Sequence, residues 1–372
     1  MEETEGRNTM KTLDDRLLSL DFFRGFTMFL LIAEGTPLFR HMVDPSLNGT
    51  LVHAIGTQFH HHPWNGLRLW DLVQPFFMFI VGVAIPFSVA KRMKHEDDFS
   101  EVLRHAALRS LLLLFLGVTL ASIGPGEITF QFQNVLAQLS VTYLVAVLLM
   151  RFPFSTQLIV SFALILLSYS LYRFCTITGY DQPFVADRNF GAYVDMLISG
   201  KLSGGHWVSF NAIPTTAHTI WGVLVGQLLM SDRPSGQKIK FLVLAGLIGV
   251  VVGYALDPYV PIIKRICTSS FVIVSGGWCL LALAFSHWLI DLKGTGNWPK
   301  VFVVVGMNPL FIYLFAQVGG GKLIQRLPKP FVHQLFSWAG ETCVAIVNGF
   351  ATWFLLWYLC CWLYRRRIFL KI

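Results

Sequence analysis

Charge is scarce in this chain of 372 residues. Only 13% of it is Asp, Glu, Lys or Arg, while 54% is apolar. Soluble domains carry about 25% charged residues, so the shortage points away from a water-exposed surface. Mean hydropathy is correspondingly high, at +0.59. Disorder is excluded, because disordered chains are poor in aromatics and these reach 14% here. No continuous basic face exists either: the net charge of +8 is scattered in short clusters between apolar runs. That excludes a soluble nucleic-acid binder, and no nucleic-acid partner is expected. Cysteines number six, and Cys279, Cys343, Cys360 and Cys361 lie inside apolar runs, where they read as small hydrophobes. Only Cys175 and Cys267, near segment ends on one side, are placed for a bridge. The polar start has no short apolar segment ending in a small-residue cleavage site, so no cleavable signal peptide is expected.

What is present is a series of long apolar segments. Ten approach the roughly 20 residues that span a bilayer, near 22–42, 69–90, 105–123, 134–150, 155–175, 210–230, 239–256, 269–290, 300–318 and 343–364. They are too long for alternating strands, and helices satisfy their own backbone in lipid. The expected fold is all-α: one polytopic transmembrane bundle over residues 16–372, preceded by a tail at 1–15. With the N-terminus inside, the cytoplasmic segments hold eighteen Lys and Arg and the outer ones ten, Arg24 in the first segment being the remaining one. The bias puts both termini in the cytoplasm, makes 1–15 a cytoplasmic tail, and turns the long segments 43–68, 176–209 and 319–342 outward. A multi-pass protein of a bacterial inner membrane is the expectation. Its apolar surface would suit a homodimer, though no residue specifies one.

Ionisable groups inside such segments need a reason, because each costs at least ~2.5 kcal/mol on insertion scales. Arg24 and Glu34 lie ten residues apart, roughly 15 Å along a helix and too far to pair. Arg24 snorkels to headgroups or holds an anion, and Glu34 is a protonated structural carboxyl or a ligand contact. Asp71 opens the second segment, where it offsets a helix dipole or orients a histidine. Before it runs Phe59-His60-His61-His62-Pro63-Trp64-Asn65-Gly66. Three adjacent imidazoles cannot all face one tetrahedral ion, so no metal is expected. One of them suits general-base or nucleophilic work, since imidazole accepts and returns protons near neutrality. Asn211-Ala-Ile-Pro214-Thr-Thr before His218, and Asn308-Pro309, read as broken helices lining a cavity or as plain kinks. Gly319-Gly320-Gly321-Lys322 lacks P-loop spacing and reads as a flexible helix exit.

Several of these runs resemble one known family. Arg16-Leu-Leu-Ser-Leu-Asp21-Phe-Phe-Arg24-Gly25 is similar to the start of the heparan-α-glucosaminide N-acetyltransferase family core. So is His61-His-Pro-Trp64-Asn65-Gly66-Leu-Arg-Leu-Trp-Asp71-Leu-Val-Gln-Pro75 with the apolar run to Gly82. Further on, Asn211-Ala-Ile-Pro-Thr-Thr, Trp221-Gly222, Pro261-Ile-Ile-Lys264-Arg-Ile-Cys-Thr268-Ser269 and Gly306-Met307-Asn308-Pro-Leu-Phe-Ile-Tyr313 follow in the family's order. Bacterial relatives often carry the name of N-acetylglucosamine-related transporters.

The resemblance implies transfer of acetyl from cytosolic acetyl-CoA to an amino sugar, free or in an oligosaccharide, across the membrane. The family's essential histidine stands three residues before Trp-Asn-Gly, which is His61 here. It would deprotonate the incoming amine or briefly carry the acetyl. Glu34, Trp64, Asn65, Asp71, Asn211, His218 and Asn308 are then candidates to hold the sugar, with Arg24 and Gln138 on the acetyl-CoA. The sequence departs from the family at Ala33-Glu34-Gly35, which lacks an asparagine, and at Leu136-Ala137-Gln138, where the family has Leu-Gln-Arg. His206-Trp207-Val208-Ser209 also replaces an Asp-Pro-Glu-Gly lead-in. The competing reading is a transporter of N-acetylated amino sugars, and a third is a scaffold whose site has decayed. No internal inverted repeat supports the transporter.

Overall fold

Proline and glycine decide where the first apolar segment stops. Its helix, α1 (Leu18–Glu34), does not continue to residue 42 as the apolar run suggested. Gly35 and Thr36 turn back onto the carbonyls of Ile32 and Ala33, and Pro37 has no N–H to extend the ladder. The computed structural model describes residues 17–93, 98–294 and 296–370; the expected tail at 1–15 lies outside them. After α1 come α2 (Leu38–Met42), α3 (Leu51–Gln58), α4 (Val73–Met93), α5 (Phe99–Ile123), α6 (Val135–Leu149) and α7 (Phe154–Phe174). The chain continues through α8 (Phe190–Ser199), α9 (Ala212–Met230), α10 (Ser235–Leu256), α11 (Ser269–His287), α12 (Lys300–Gly306) and α13 (Pro309–Gln317). It ends with α14 (Gly320–Ile324), α15 (Lys329–Phe336) and α16 (Glu341–Arg365). Among the described residues these and short helical turns are the regular elements, with one isolated bridge between Asn65 and Ile263.

All ten expected segments carry helix. Among the described residues, six helices are long and apolar enough to cross a membrane, or seven if the bent α12–α13 pair counts as one. That pair turns by 72° at Asn308-Pro309, as expected where proline removes a ladder hydrogen bond. Side-chain caps fix several starts: Asp98 accepts from Phe99 N at 2.7 Å, Asn134 from Ala137 N at 3.0 Å and Asn189 from Ala192 N at 3.1 Å. All six cysteines are free, so Cys175 and Cys267 form no bridge. The triglycine segment is not a flexible exit. Gly320 and Gly321 are buried in α14, and Gly321 lies against the Gly35 carbonyl.

The chain forms two compact units, one from the segments up to His41 and from Leu281 onward, the other from Met42–Leu280. In the first, α1 packs on α12, α13 and α16, and Phe22, Phe26 and Phe29 set their rings edge-on around Phe302. In the second, α9 is the central helix. Fourteen of its 19 residues are buried, and it packs on α4, α6 and α7. Helices α4, α6, α9 and α11 start, and α5, α7 and α10 finish, at one end of this unit. The connections 59–72, 124–134, 175–211 and 257–268 therefore meet there.

Helices α4 and α9 touch backbone to backbone. A Cβ built on Gly82 would strike the Thr219 carbonyl, and one on Gly222 would strike the Phe79 carbonyl. Small residues at such crossings let van der Waals packing act where lipid supplies no hydrophobic drive between helices. Gly82→Ala and Gly222→Ala should each destabilise by about 1–3 kcal/mol, read as a lower thermal midpoint in detergent. Gly236→Ala, where nothing lies within 4 Å of a new Cβ, should leave the midpoint in place.

Candidate functional site

The Asp71 carboxylate is fully buried and has three donors. Its Oδ2 accepts from the backbone N–H of Arg68 at 2.9 Å and of His62 at 3.3 Å. Its Oδ1 accepts from Nδ1 of His61 at 2.8 Å. The bond to Arg68 N closes the helical turn Leu69–Leu72 that leads into α4. Asp71 therefore both starts the helix and orients a histidine, so the two readings of the sequence hold together. A carboxylate only accepts, so His61 carries its proton on Nδ1 and leaves Nε2 with a lone pair. The His61 side chain keeps 31% exposure against none for Asp71. Its imidazole meets the medium while its partner does not.

The loop 257–268 brings cations to this histidine because it is tied to itself and to the Trp64-Asn65-Gly66 strand. Asp257 accepts from Ile262 N at 2.8 Å, and Thr268 Oγ1 accepts from Ile263 N at 3.0 Å and donates to Pro261 O at 2.7 Å. Gly66 N donates to Ile262 O at 2.8 Å beside the Asn65–Ile263 bridge. Gly66 is needed for two reasons. Its φ of +143° is hostile to L side chains, and a Cβ would sit 2.6 Å from the His62 ring. Lys264 and Arg265 then both face Trp207, at 5.2 and 5.4 Å from its ring centre, while the Trp207 ring meets His61 edge-on at 4.9 Å.

Lys264 is 2% exposed and also lies over Phe271. It donates to Gln74 Oε1, whose Nε2 donates to Gln138 Oε1 at 2.5 Å. Gln138 Nε2 donates to Gln133 O at 2.8 Å, and the Gln133 side chain reaches Asp195 Oδ2 at 3.1 Å. The row from the buried ammonium thus ends on the Gln133 carbonyl, and the side chain of the same residue separately meets the buried Asp195 carboxylate. Burial pulls the Lys264 ammonium below the usual lysine range, against the opposing Cys267 thiol and Asp71 carboxylate. The same burial pushes the Cys267 thiol up to about 11, against the nearby Lys264 charge. His61 moves down too: burial disfavours its cation, the Asp71 hydrogen bond opposes this, and the Lys264 charge reinforces it.

Of the residues singled out by sequence, His61 and Asp71 are in direct contact. Trp64 donates to Phe184 O at 2.7 Å, Asn65 holds the bridge to Ile263, and Asn211 donates to Arg265 O at 2.8 Å, so all three support the same loops. Gln138 reaches the cluster through Gln74. His218 is fully buried farther along α9, with Nε2 at 2.9 Å from Ser275 Oγ. Glu34, Arg24 and Asn308 belong to the other unit. Glu34 lines a cleft with Tyr313 and Gln317, Arg24 pairs with Asp21, and Asn308 binds Ile368 O at 2.6 Å and Leu370 N at 2.8 Å. Lys264, Arg265, Trp207 and Gln74 were missed. Lys264 and Arg265 were counted as ordinary loop cations, although they stand in one of the runs similar to the family. Among the described residues no group of three or more His, Cys, Asp and Glu could hold a metal ion. His60 turns instead to Gly56 O at 3.0 Å.

Residues 16–184 match the domain of unknown function DUF5009. The chain is 24% identical to heparan-α-glucosaminide N-acetyltransferase of mouse (Mus musculus) and 25% identical to that of human (Homo sapiens), each over 98% of its length. It spans 62% of the mouse protein and 61% of the human one. The family resemblance read from the motifs therefore extends along nearly all of this chain.

Two substitutions separate the charges that act on His61. Lys264→Met removes a cation that disfavours imidazolium, so the His61 pKa should rise toward the ordinary value of about 6.5. Asp71→Asn removes the acceptor that favours imidazolium, so it should fall further. Titration of ¹⁵N-labelled histidine by NMR reads both, and equal shifts in one direction would refute this electrostatic arrangement.

Proposed function

We propose that this protein is a membrane acetyltransferase that moves acetyl from acetyl-CoA to the amine of an amino sugar. The His61–Asp71 pair beside two cations is the observation that carries the reading, and the relatives' shared name is consistent with it. Asp71 holds Nδ1–H and so keeps Nε2 available to take the proton of the attacking amine, a role worth typically 10²–10⁴-fold. A lowered imidazole pKa keeps that base neutral at pH 7. Lys264 and Arg265 offer positive charge where the thioester oxygen becomes an oxyanion. Trp64, Asn65 and Asn211 hold the loops that carry these groups. Trp207, presented edge-on to His61, offers an aromatic wall suited to a sugar ring.

The arrangement in the membrane belongs to the same proposal. Ten spans with both termini cytoplasmic follow from the excess of Lys and Arg in alternate connections. His61 then faces the extracytoplasmic side of a bacterial inner membrane, while acetyl-CoA arrives from the cytoplasm. Arg24 and Gln138 remain the proposed contacts for acetyl-CoA, and Glu34, His218 and Asn308 further proposed contacts for sugar. Transport of N-acetylated amino sugars is the second reading, favoured by the 72° break at Asn308-Pro309 near the cleft of Glu34. Broken helices of that kind line substrate paths in transporters.

Purified protein given acetyl-CoA and glucosamine should release CoA thiol. His61→Ala should abolish the release, and Asp71→Asn should slow it by about 10²–10⁴-fold. The acid limb of the rate should lie below pH 6.5, because the base form is already present at that pH when the folded pKa is depressed. Uptake of labelled N-acetylhexosamine into vesicles without acetyl-CoA, together with no thiol release, would favour transport instead.

A further inference from the structure

At the far end of the same unit, where α4 finishes and α5 is in its first half, lies a second polar feature. Arg92 from the last turn of α4, with His105 and Arg109 from α5, lines a groove beside Tyr143 of α6. Arg109 lies ten residues beyond the first residue of α5, about 15 Å along a helix. That helix is long and apolar enough to cross a membrane. An arginine that is partly buried needs acceptors for the donors that water cannot reach.

None of the described residues that line the groove is acidic, and Glu101, two turns before Arg109 on α5, is held by Arg104 at 2.8 Å. The Arg109 guanidinium lies over the Tyr143 ring at 4.7 Å, and its Nε is buried without a hydrogen-bond acceptor. One face of the group is therefore stacked and one donor edge is unspent. An arginine in that state is prepared for forked bonds to an oxyanion. His105 stands one turn before Arg109 on the same helix face. Leu108 and Leu112 complete the lining on α5 with apolar surface.

We propose that this groove binds the phosphate group of an amphiphile. The phosphate lies among Arg92, His105 and Arg109, and the apolar chain runs along Leu108 and Leu112. Two sources carry that chemistry: an anionic phospholipid of the surrounding bilayer, and a soluble phosphate ester entering from water. The inference is independent of the His61 reaction and survives if acetyl transfer is absent.

The test uses the full chain in detergent. Native mass spectrometry with phosphatidylglycerol against phosphatidylcholine forms the lipid arm. Thermal stabilisation by inorganic phosphate and by CoA forms the soluble arm. The wild type should prefer phosphatidylglycerol at least fivefold, or be stabilised by a soluble phosphate, and Arg109→Met should remove the effect. Arg109→Lys should keep only part of it, since the charge remains and the fork is lost. Arg92→Gln gives a second reading if Arg109→Met fails to fold. Retention of the full effect in folded Arg92→Gln and Arg109→Met, or absence in the wild type of both the lipid preference and the stabilisation by phosphate, would overturn the assignment.

Discussion

One buried carboxylate organises the end of the unit where the loops meet. Asp71 accepts two backbone N–H groups and one imidazole N–H, so its negative charge is compensated without an ion pair to Lys or Arg. Helix start and histidine orientation thus depend on the same three hydrogen bonds. Misplacing the turn at Leu69–Leu72 would also turn His61 away from its partner.

The second requirement is the short strand contact of Asn65 and Gly66 with Ile262 and Ile263. It brings together residues nearly two hundred positions apart in the chain. Without it, Lys264 and Arg265 would be solvated loop cations of little consequence. Held against Trp207, they act on the histidine through a medium from which water has been largely removed, where charge reaches farther. The apolar burial that lowers the ammonium's proton affinity also makes its remaining charge effective.

Much of the architecture was legible in the sequence, because apolar length and proline positions are direct readouts of helices in lipid. The ten helical segments and the break at Asn308-Pro309 were available from residue type and spacing, while His61 was singled out among three histidines by the family resemblance. The partnership of His61 with Asp71 was weighed only as one of two roles, since spacing along a loop does not fix a distance. Lys264, Gln74 and Trp207 were hidden for a stronger reason. They come from two connections and the first turn of α4, and only folding joins them. The first helix was overextended because apolar residues continue past Gly35, whereas the backbone there obeys Pro37. Triglycine looked mobile because composition does not reveal a neighbouring carbonyl at contact distance.

The amide row from Lys264 to the Gln133 carbonyl has a direction. Gln74 and Gln138 each accept a hydrogen bond from the side of the amine and donate one toward Gln133, so their dipoles add head to tail. Gln74 and Gln138 cannot reverse singly without setting oxygen against oxygen or hydrogen against hydrogen. Their orientation is therefore a shared property, dictated by the ammonium at one terminus and the Gln133 carbonyl at the other. Such a row behaves like a compass needle built from short magnets: its polarity at Gln133 is a memory of the charge on Lys264.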